Sequence, residues 1–301
     1  MKRWAILLAA LMLALACCGA AAEGKANWLE TVLGDAAQAL ENNVGLDIGA
    51  SQTGRRDKKE LALLFIDGEI IEGGSYYNHV GTLEAIEELM YDTDNAALLV
   101  VFNTPGGGLY EADELHHTLS VYKEQTGRPV YAYMKQECCS GGVYAAMAAD
   151  IIYASKMTIT GSVGVYVETY SEAGLLEKLG IEREFITTGE NKVSGYPTLT
   201  TDQRAIEQAM VDEGFEFFKE VIRQGRGLSD EQMAPFLDGR ILTAMQAKEL
   251  GLVDKVLYYD EAIEEMTRNL GGDITFMNIT PQAEYGFEDM ITSEIMKWIM
   301  P

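Results

Sequence analysis

The sequence predicts an α/β fold built on a mostly parallel sheet. Two continuous apolar runs, Leu61–Ile66 and Ala96–Phe102, are typical of strands that are buried on both faces. Segments with helical periodicity alternate with these and later apolar runs, and such alternation favours parallel strands joined by helices. Further strands are predicted at Pro129–Met134 and Ile151–Ala154, and helices at Val80–Tyr91, Tyr110–Gln125, Gly141–Ala149, Gln203–Gln224, Glu231–Leu237 and Ala244–Leu250.

The N-terminus has the layout of a secretory signal. Lys2 and Arg3 precede an apolar run that ends at Cys18, and small residues lead to a predicted cleavage site before Glu23. A lipoprotein signal with lipidation at Cys17 and an uncleaved anchor are the alternatives. All three place the main domain outside the cytoplasm, secreted or associated with the membrane.

The chain is therefore divided into four predicted regions. Residues 1–22 form the signal peptide or anchor, and residues 23–59 form an amphipathic helix followed by a polar linker. Residues 60–270 form the α/β domain. Residues 271–301 form a C-terminal tail that ends in an apolar helix, which we expect to be a packing or subunit-contact segment.

Charge and cysteine content exclude several functions. The formal net charge is −24, which argues against nucleic-acid binding because phosphate recognition needs basic patches. Cys17 and Cys18 lie in the signal, and the adjacent pair Cys138 and Cys139 is not expected to form a disulfide. No metal-ligand spacing is present, so we predict neither a metal nor a cofactor.

A glycine triplet follows the second buried strand. The segment Asn103–Gly108 reads NTPGGG, and bare glycine amides beside a helix N-terminus suit an oxyanion hole. They would also suit a phosphate, and a plain glycine turn gives the same sequence.

Ser140 is the candidate nucleophile. It lies between a predicted strand and a predicted helix and is followed by Gly141 and Gly142. A sharp strand-to-helix turn presents a side chain outward, although the usual spelling of the nucleophile elbow is absent. An N-cap serine is the structural alternative, and Cys139 is a rival nucleophile.

A serine nucleophile needs a base. The three histidines, at positions 79, 116 and 117, all precede Ser140, so the sequence gives little support to a histidine base. A Ser–Lys variant of the triad is favoured instead. Lys192 is the best lysine candidate; it lies in a loop after a strand-like segment, Glu184–Thr188. Its neighbour Glu190 is expected to point away from the site. A further predicted strand, Thr158–Val165, contains Ser162, whose hydroxyl could orient the amine.

Together these segments resemble the signal peptide peptidase (protease IV) family. The resemblance runs from about Leu61 to Tyr258 and rests on NTPGGG at 103–108, SGGVYAA at 140–146, AADIIYAS at 148–155, TGSVGV at 160–165 and NKVSGYP at 191–197. It implies a Clp/crotonase-like fold of repeated β-β-α units with helical extensions at both ends.

The resemblance also implies the roles of individual residues. Ser140 corresponds to the nucleophile, Lys192 to the base and Ser162 to the serine that supports the lysine. Gly107 corresponds to the glycine whose amide holds the oxyanion, and the amide of Gly141 is a second candidate donor. The implied substrates are remnant signal peptides and other peptides with small or apolar side chains, and the implied assembly is a membrane-associated ring of identical copies.

Two other functions fit parts of the sequence. A crotonase-type acyl-CoA enzyme would use the same oxyanion hole, but the signal sequence and the acidic charge count against it. An inactive or scaffold-type homologue would not need Ser140, Ser162 and Lys192. All three are present, which argues against this alternative.

Overall fold

A computed structural model describes residues 59–282. The predicted signal peptide, the lipidation candidate Cys17, the helix and linker of residues 23–58 and the apolar helix at the end of the tail lie outside the described residues. No helix within residues 59–282 is long and apolar enough to cross a membrane.

The described part of the chain forms one eight-stranded sheet. The strands are β1 (Lys59–Asp67), β2 (Asn95–Thr104), β3 (Val130–Cys139), β4 (Ile151–Ala154), β5 (Ile159–Gly161), β6 (Ile241–Thr243), β7 (Lys255–Val256) and β8 (Ile274–Asn278). The main path runs β6-β5-β3-β2-β1-β8, and β4 pairs with β3 and β7. All pairings are parallel except that of β5 with β6.

Helices connect the strands, as the alternating pattern predicts. They are α1 (His79–Met90), α2 (Leu109–Thr126), α3 (Gly141–Ala146), α4 (Ala173–Lys178), α5 (Thr201–Arg226), α6 (Asp230–Met233), α7 (Ala244–Glu249) and α8 (Tyr259–Asn269), with a 3₁₀ turn at Ala234–Phe236. The predicted α/β class with a mostly parallel sheet is therefore confirmed.

Two apolar cores lie on opposite faces of the sheet. Alternate residues of the strands, such as Leu64 and Phe102, join the larger core, which also contains residues of α1, α2, α3 and α5. The other set, such as Leu99, packs with Ala262 and Met266 of α8. Burial on both faces explains why the central strands appear as unbroken apolar runs in the sequence.

Strand β3 changes partner along its length. Its first half pairs with β4 as far as Met134 and Ala154, and its second half pairs with β5 from Glu137 to Cys139. The split brings the end of β5 beside the end of β3. This placement of Ser162 next to Ser140 builds the site described below.

Some predicted elements were wrong or incomplete. Residues Glu184–Thr188 do not form a strand, and the strand predicted at Thr158–Val165 is limited to β5. Strands β6, β7 and β8 were not predicted, because each is short or lies at an edge of the sheet where its side chains are partly exposed. Because β8 pairs with β1, the sheet extends past residue 270.

Candidate active site

Ser140 occupies a strained turn between β3 and α3. Its backbone has φ 49° and ψ −119°, a conformation that residues other than glycine rarely adopt. The residue is the N-cap of α3, but its side chain makes no capping hydrogen bond. The hydroxyl is therefore not used as a helix cap, which removes the structural alternative, and the turn has the strand–turn–helix form of a nucleophile elbow.

The glycine loop after β2 lies directly against Ser140. A Cβ atom placed on Gly106 would lie 2.7 Å from the Cβ of Ser140, and Gly106 has φ 110°. This close approach needs a residue without a side chain. Gly141, which follows Ser140, is also close to the loop, since a Cβ on it would lie 3.2 Å from the amide nitrogen of Gly107.

A strap before α1 holds the glycine loop in place. The amide of Ile70 donates to the Gly106 carbonyl at 2.8 Å, and the amide of Gly108 donates to the Ile70 carbonyl at 2.9 Å. The amide of Gly106 donates to Thr104 Oγ1 at 3.0 Å. The Gly107 amide between them has no acceptor among the described residues, so it is free to bind an oxyanion.

Ser162 stands at the end of the neighbouring strand in another turn with positive φ. Its φ is 52°, and its amide donates to the Arg240 carbonyl at 2.8 Å. The amide of Ser140 donates to the carbonyl of Gly161 at 2.9 Å, which ties the two serine turns together. A strand that ended in regular geometry would not produce this turn, which is why the sequence pattern overestimated the length of β5.

Ser140, Ser162 and Gly107 line a single cleft of about 560 Å³. Part of its lining is apolar. Val163 and Val165 follow β5, Phe215 lies on α5, and Leu237 lies in the loop before β6. These wall residues were not identified from the sequence. Val163 and Val165 lie in the TGSVGV motif, and Phe215 lies in the amphipathic pattern of α5, but neither signal indicates which residues face a cleft.

Lys192 is not among the residues that line this cleft. Its side chain is exposed, as is that of Glu190, in a loop held by Gln203, whose side-chain Nε2 donates to the carbonyls of Glu190 and Val193. No residue from 166 to 202 is buried. The structure thus brings together four of the five predicted site residues and leaves the predicted base outside.

The histidines are also outside the cleft. His79 is buried between the hydroxyl of Tyr77, at 3.0 Å, and a carboxylate oxygen of Glu114, at 2.8 Å. His116 packs against the ring of Tyr144, and burial lowers the pKa of His116 to about 4. No histidine of the described chain lines the cleft that contains Ser140.

The rival nucleophile Cys139 is poorly suited to the reaction. It is 4% exposed, and burial together with Glu137 raises the pKa of its thiol to about 11. Burial also raises the pKa of Cys138 well above its usual range. Because the thiolate is the reactive form, both cysteines are inert near neutral pH. Both are free thiols, as expected for adjacent cysteines.

Residues 59–282 contain no group of three or more histidine, cysteine or acidic side chains that could hold a metal ion. The titratable side chains that line the cleft are Glu69, Tyr166, Asp212 and Asp238. No lysine or arginine of the described chain is among the cleft-lining residues. The cleft therefore combines apolar side chains with acidic ones.

Comparisons with known proteins indicate the family of the chain. Residues 122–271 match the Peptidase family S49. A protein of Synechocystis sp. named "Putative protease slr0021" is 35% identical over 201 residues, which cover 66% of this chain and 70% of that protein. The chain belongs to peptidase family S49. The resemblance to the signal peptide peptidase family is thus confirmed.

The chain is also similar to a second relative and to a solved structure. "Putative signal peptide peptidase SppA" of Enterococcus faecium is 30% identical over 219 residues, which cover 70% of this chain. The matched region spans 63% of that relative, less than two thirds of its length. A solved structure of a ClpP1 mutant from Listeria monocytogenes matches 67% of this chain and 94% of its own, with a TM-score of 0.44 and 16% identity.

Proposed function

We propose that this protein is an endopeptidase in which Ser140 attacks the peptide carbonyl and Lys192 is the general base. The observation that carries the proposal is the strained turn at Ser140, whose hydroxyl is not used in capping and stands beside the unpaired Gly107 amide. Attack on a carbonyl would place the developing oxyanion at Gly107, with the amide of Gly141 as the second donor. An acyl-enzyme forms, and water releases it.

Ser162 is proposed to orient the lysine amine. Its turn is tied to that of Ser140 through Gly161, so the two side chains share one rigid support. A hydroxyl at this position can accept a hydrogen bond from the amine and hold its lone pair toward the nucleophile.

Lys192 is exposed and does not line the cleft of its own chain. Residues 166–199, here called the arm, carry Lys192 and display large apolar side chains to solvent, including Tyr166 at 83%, Tyr170 at 81% and Ile186 at 96% exposure. Such a surface is typical of a protein interface. We propose that arms of identical copies pack in a ring and that Lys192 enters the cleft of a neighbouring copy.

Assembly would also provide the chemistry that a lysine base requires. A solvated lysine is protonated at neutral pH and cannot accept a proton. An apolar environment favours the neutral amine, and the cleft walls at Val163, Val165 and Phe215 supply one.

The proposed substrates are remnant signal peptides and other peptides with small or apolar side chains. The apolar walls of the cleft fit such side chains, and its volume of about 560 Å³ accommodates a short extended segment. The three carboxylates on its rim, Glu69, Asp212 and Asp238, disfavour the phosphates of coenzyme A, which makes the crotonase-type alternative the weaker one.

Peptide digestion tests the chemistry. The wild type, Ser140→Ala, Lys192→Ala and a control, Lys248→Ala, an exposed lysine on α7 outside the arm, are incubated with a synthetic signal peptide, and the products are identified by mass. We expect cleavage by the wild type and the control, and a loss of at least about 1,000-fold in the two site variants. Undiminished activity of either site variant would overturn the dyad, and an inactive wild type would favour the scaffold-type alternative.

Mixing the two inactive variants tests the assembly. If Lys192 serves a neighbouring copy, a mixture of Ser140→Ala and Lys192→Ala chains assembled together contains some intact sites and recovers about a quarter of wild-type activity. A mixture with no activity would place the lysine in its own chain's cleft. The mixture must be assembled from dissociated copies, and its size measured by light scattering.

We propose further that the enzyme works outside the cytoplasm and is associated with the membrane, on the basis of the N-terminal signal. Fractionation of cells that express the full chain, followed by mass analysis of the mature N-terminus, tests this. Processing before Glu23, lipidation at Cys17 and an intact N-terminus are three distinct masses. An unprocessed chain found only in the cytosol would contradict the proposal.

A further inference from the structure

The amide that we assign to the oxyanion belongs to the peptide unit that joins Gly106 to Gly107. A peptide unit is planar and trans, so its carbonyl and its N–H point in opposite directions and turn together. Glycine on both sides allows such a unit to rotate at little steric cost. A rotated unit would present the Gly106 carbonyl oxygen, in place of the Gly107 N–H, to a transition state that is itself negative. The oxyanion hole therefore depends on the contacts that fix this carbonyl.

Two donors hold the Gly106 carbonyl. The Ile70 amide donates to it at 2.8 Å, and the hydroxyl of Thr104 donates to it at 3.2 Å. Because the carbonyl is fixed toward these donors, the Gly107 N–H of the same peptide unit points away from them. The Gly107 nitrogen lies close to Gly141, the residue that follows the nucleophile. The two bonds thus keep the amide available on the side where the oxyanion would form.

The same hydroxyl also occupies the neighbouring amide. Thr104 Oγ1 accepts a hydrogen bond from the Gly106 N–H at 3.0 Å. Pro105 has no amide hydrogen, and the Gly108 amide is bound by the strap. Among residues 105–108, the Gly107 N–H alone lacks an acceptor within the described part of the chain. One side chain therefore satisfies both backbone groups of Gly106 and leaves a single donor for a ligand.

Thr104 is rigidly placed for this task. It is the last residue of β2, it is fully buried, and it is the register partner of Cys138 on β3. Its methyl group faces the first turn of α3, since a Cβ atom on Gly142 would lie 2.6 Å from Thr104 Cγ2. A buried hydroxyl cannot exchange its partners for water, so the loss of its bonds leaves backbone groups unsatisfied.

We propose that Thr104 is a positioning residue for the peptidase reaction. Its hydroxyl holds the peptide unit between Gly106 and Gly107 in the orientation that offers the Gly107 amide to the oxyanion. Thr104 does not line the cleft, so it acts through the glycine loop and not by contact with substrate. This inference rests on the proposed function, because it assigns a task to a residue behind the proposed oxyanion hole.

Steady-state kinetics of two substitutions test the proposal. Thr104→Val replaces the hydroxyl with a methyl group, whereas Thr104→Ser keeps the hydroxyl. With a synthetic signal peptide we expect kcat to fall at least about 30-fold in Thr104→Val while KM changes less than about twofold, because the oxyanion contact is made only in the transition state. We expect kcat of Thr104→Ser to stay within about threefold of the wild type. Equal losses in the two variants, or a change in KM alone, would overturn the proposal.

Thr126 supplies a matched control at the other end of α2. Its hydroxyl also makes one bond of each kind, since it donates to the Tyr122 carbonyl at 2.7 Å and accepts from the Arg128 amide at 3.1 Å. The length of α2 places it roughly 25 Å from the glycine loop. Thr126→Val should leave kcat unchanged even if its stability to urea falls. A fall in kcat as large as that of Thr104→Val would mean that the loss of any such hydroxyl damages the enzyme.

A transition-state analogue separates positioning from a general structural effect. When a peptide aldehyde binds, the Ser140 oxygen bonds to the aldehyde carbon, the hydroxyl proton passes to the base, and the former carbonyl oxygen becomes the oxyanion. The inhibition constant of the aldehyde should rise in Thr104→Val by the factor by which kcat falls. The corresponding peptide alcohol forms no oxyanion, and its affinity should not change. An unchanged inhibition constant for the aldehyde would contradict the proposal.

Crystal structures of the full chain test the orientation without any need for activity. In the wild type we expect the Gly106 carbonyl to accept from the Ile70 amide and the Thr104 hydroxyl. In Thr104→Val we expect the peptide unit to be rotated in part of the molecules, with this carbonyl toward Ser140. The same single orientation in both proteins would overturn the inference. A wild type that cleaves no peptide would instead refute the proposed function, and the two structures would still decide whether Thr104 fixes the peptide unit.

Discussion

The strained backbone of Ser140 makes a quantitative prediction about stability. At φ 49° and ψ −119° a residue with a Cβ atom is unfavourable, and such strain costs about 1–3 kcal/mol. Glycine avoids this cost but loses about 0.5–1 kcal/mol through the greater freedom of the unfolded chain. We therefore expect Ser140→Gly to be more stable than Ser140→Ala by about 1 kcal/mol.

Ser140→Ala is the proper reference because both variants lack the hydroxyl. Their difference isolates the effect of the Cβ atom in this conformation. The free energy of unfolding is measured by urea titration, and the melting temperature should rise by about 2–4 °C for each kcal/mol in a chain of this size.

Ser155 supplies the control with the opposite sign. It follows β4, its amide donates to the Met134 carbonyl at 3.1 Å, and it is not among the residues with positive φ. There Ser155→Gly should be less stable than Ser155→Ala by about 0.5–1 kcal/mol. The reasoning is refuted if the glycine variant is the less stable one at both positions, because Ser140 would then store no strain.

Three further predictions follow from the same contacts. Gly106→Ala should lower peptidase activity by about 100-fold or more, because its new Cβ atom would lie 2.7 Å from that of Ser140. The control Gly127→Ala, with φ 67° and open space around it, should cost about 1–2 kcal/mol of stability and leave the rate unchanged. A fall in activity for both variants would point to general damage. Burial lowers the pKa of His116 to about 4 from 6.5, so the unfolded chain takes up a proton at this residue before the folded chain does, and about 3 kcal/mol of unfolding free energy is lost as the pH falls from 6.5 to 4. The difference in unfolding free energy between wild type and His116→Gln should show this pH dependence. A difference that does not change with pH would contradict it. Arg226→Met should lower the free energy of unfolding in urea by about 3–5 kcal/mol, because the partly buried carboxylate of Asp254, 2.6 Å from the guanidinium, loses its partner. A loss below about 1 kcal/mol would mean that water replaces the guanidinium.

The sequence was sufficient where local geometry determines function. The turn at Ser140 is set by a buried strand, two following glycines and a short helix, all of which leave marks in the sequence. The glycine loop was identified for the same reason. Contacts between distant parts of the chain, such as that of the Ser140 amide with the Gly161 carbonyl, support turns that the local sequence already predicts.

Other parts depended on contacts that have no local pattern. Strand β5 was predicted too long because no sequence signal near Ser162 indicates that its amide will donate a hydrogen bond to the Arg240 carbonyl. Strand β8 was missed because it is an edge strand with only partly buried side chains. Lys192 was a candidate from its loop position and was assigned as the base by the resemblance, and a loop sequence does not indicate whether its side chain lines the cleft.

The most direct test of the account is covalent labelling of the activated serine. The wild type is treated with a fluorophosphonate, which reacts with serine nucleophiles without any need for the natural substrate, and the adduct is located by peptide mass analysis. We expect one adduct, on Ser140, and a labelling rate at least about 100-fold lower in Lys192→Ala. An adduct on another residue, or equal rates in the wild type and Lys192→Ala, would contradict it.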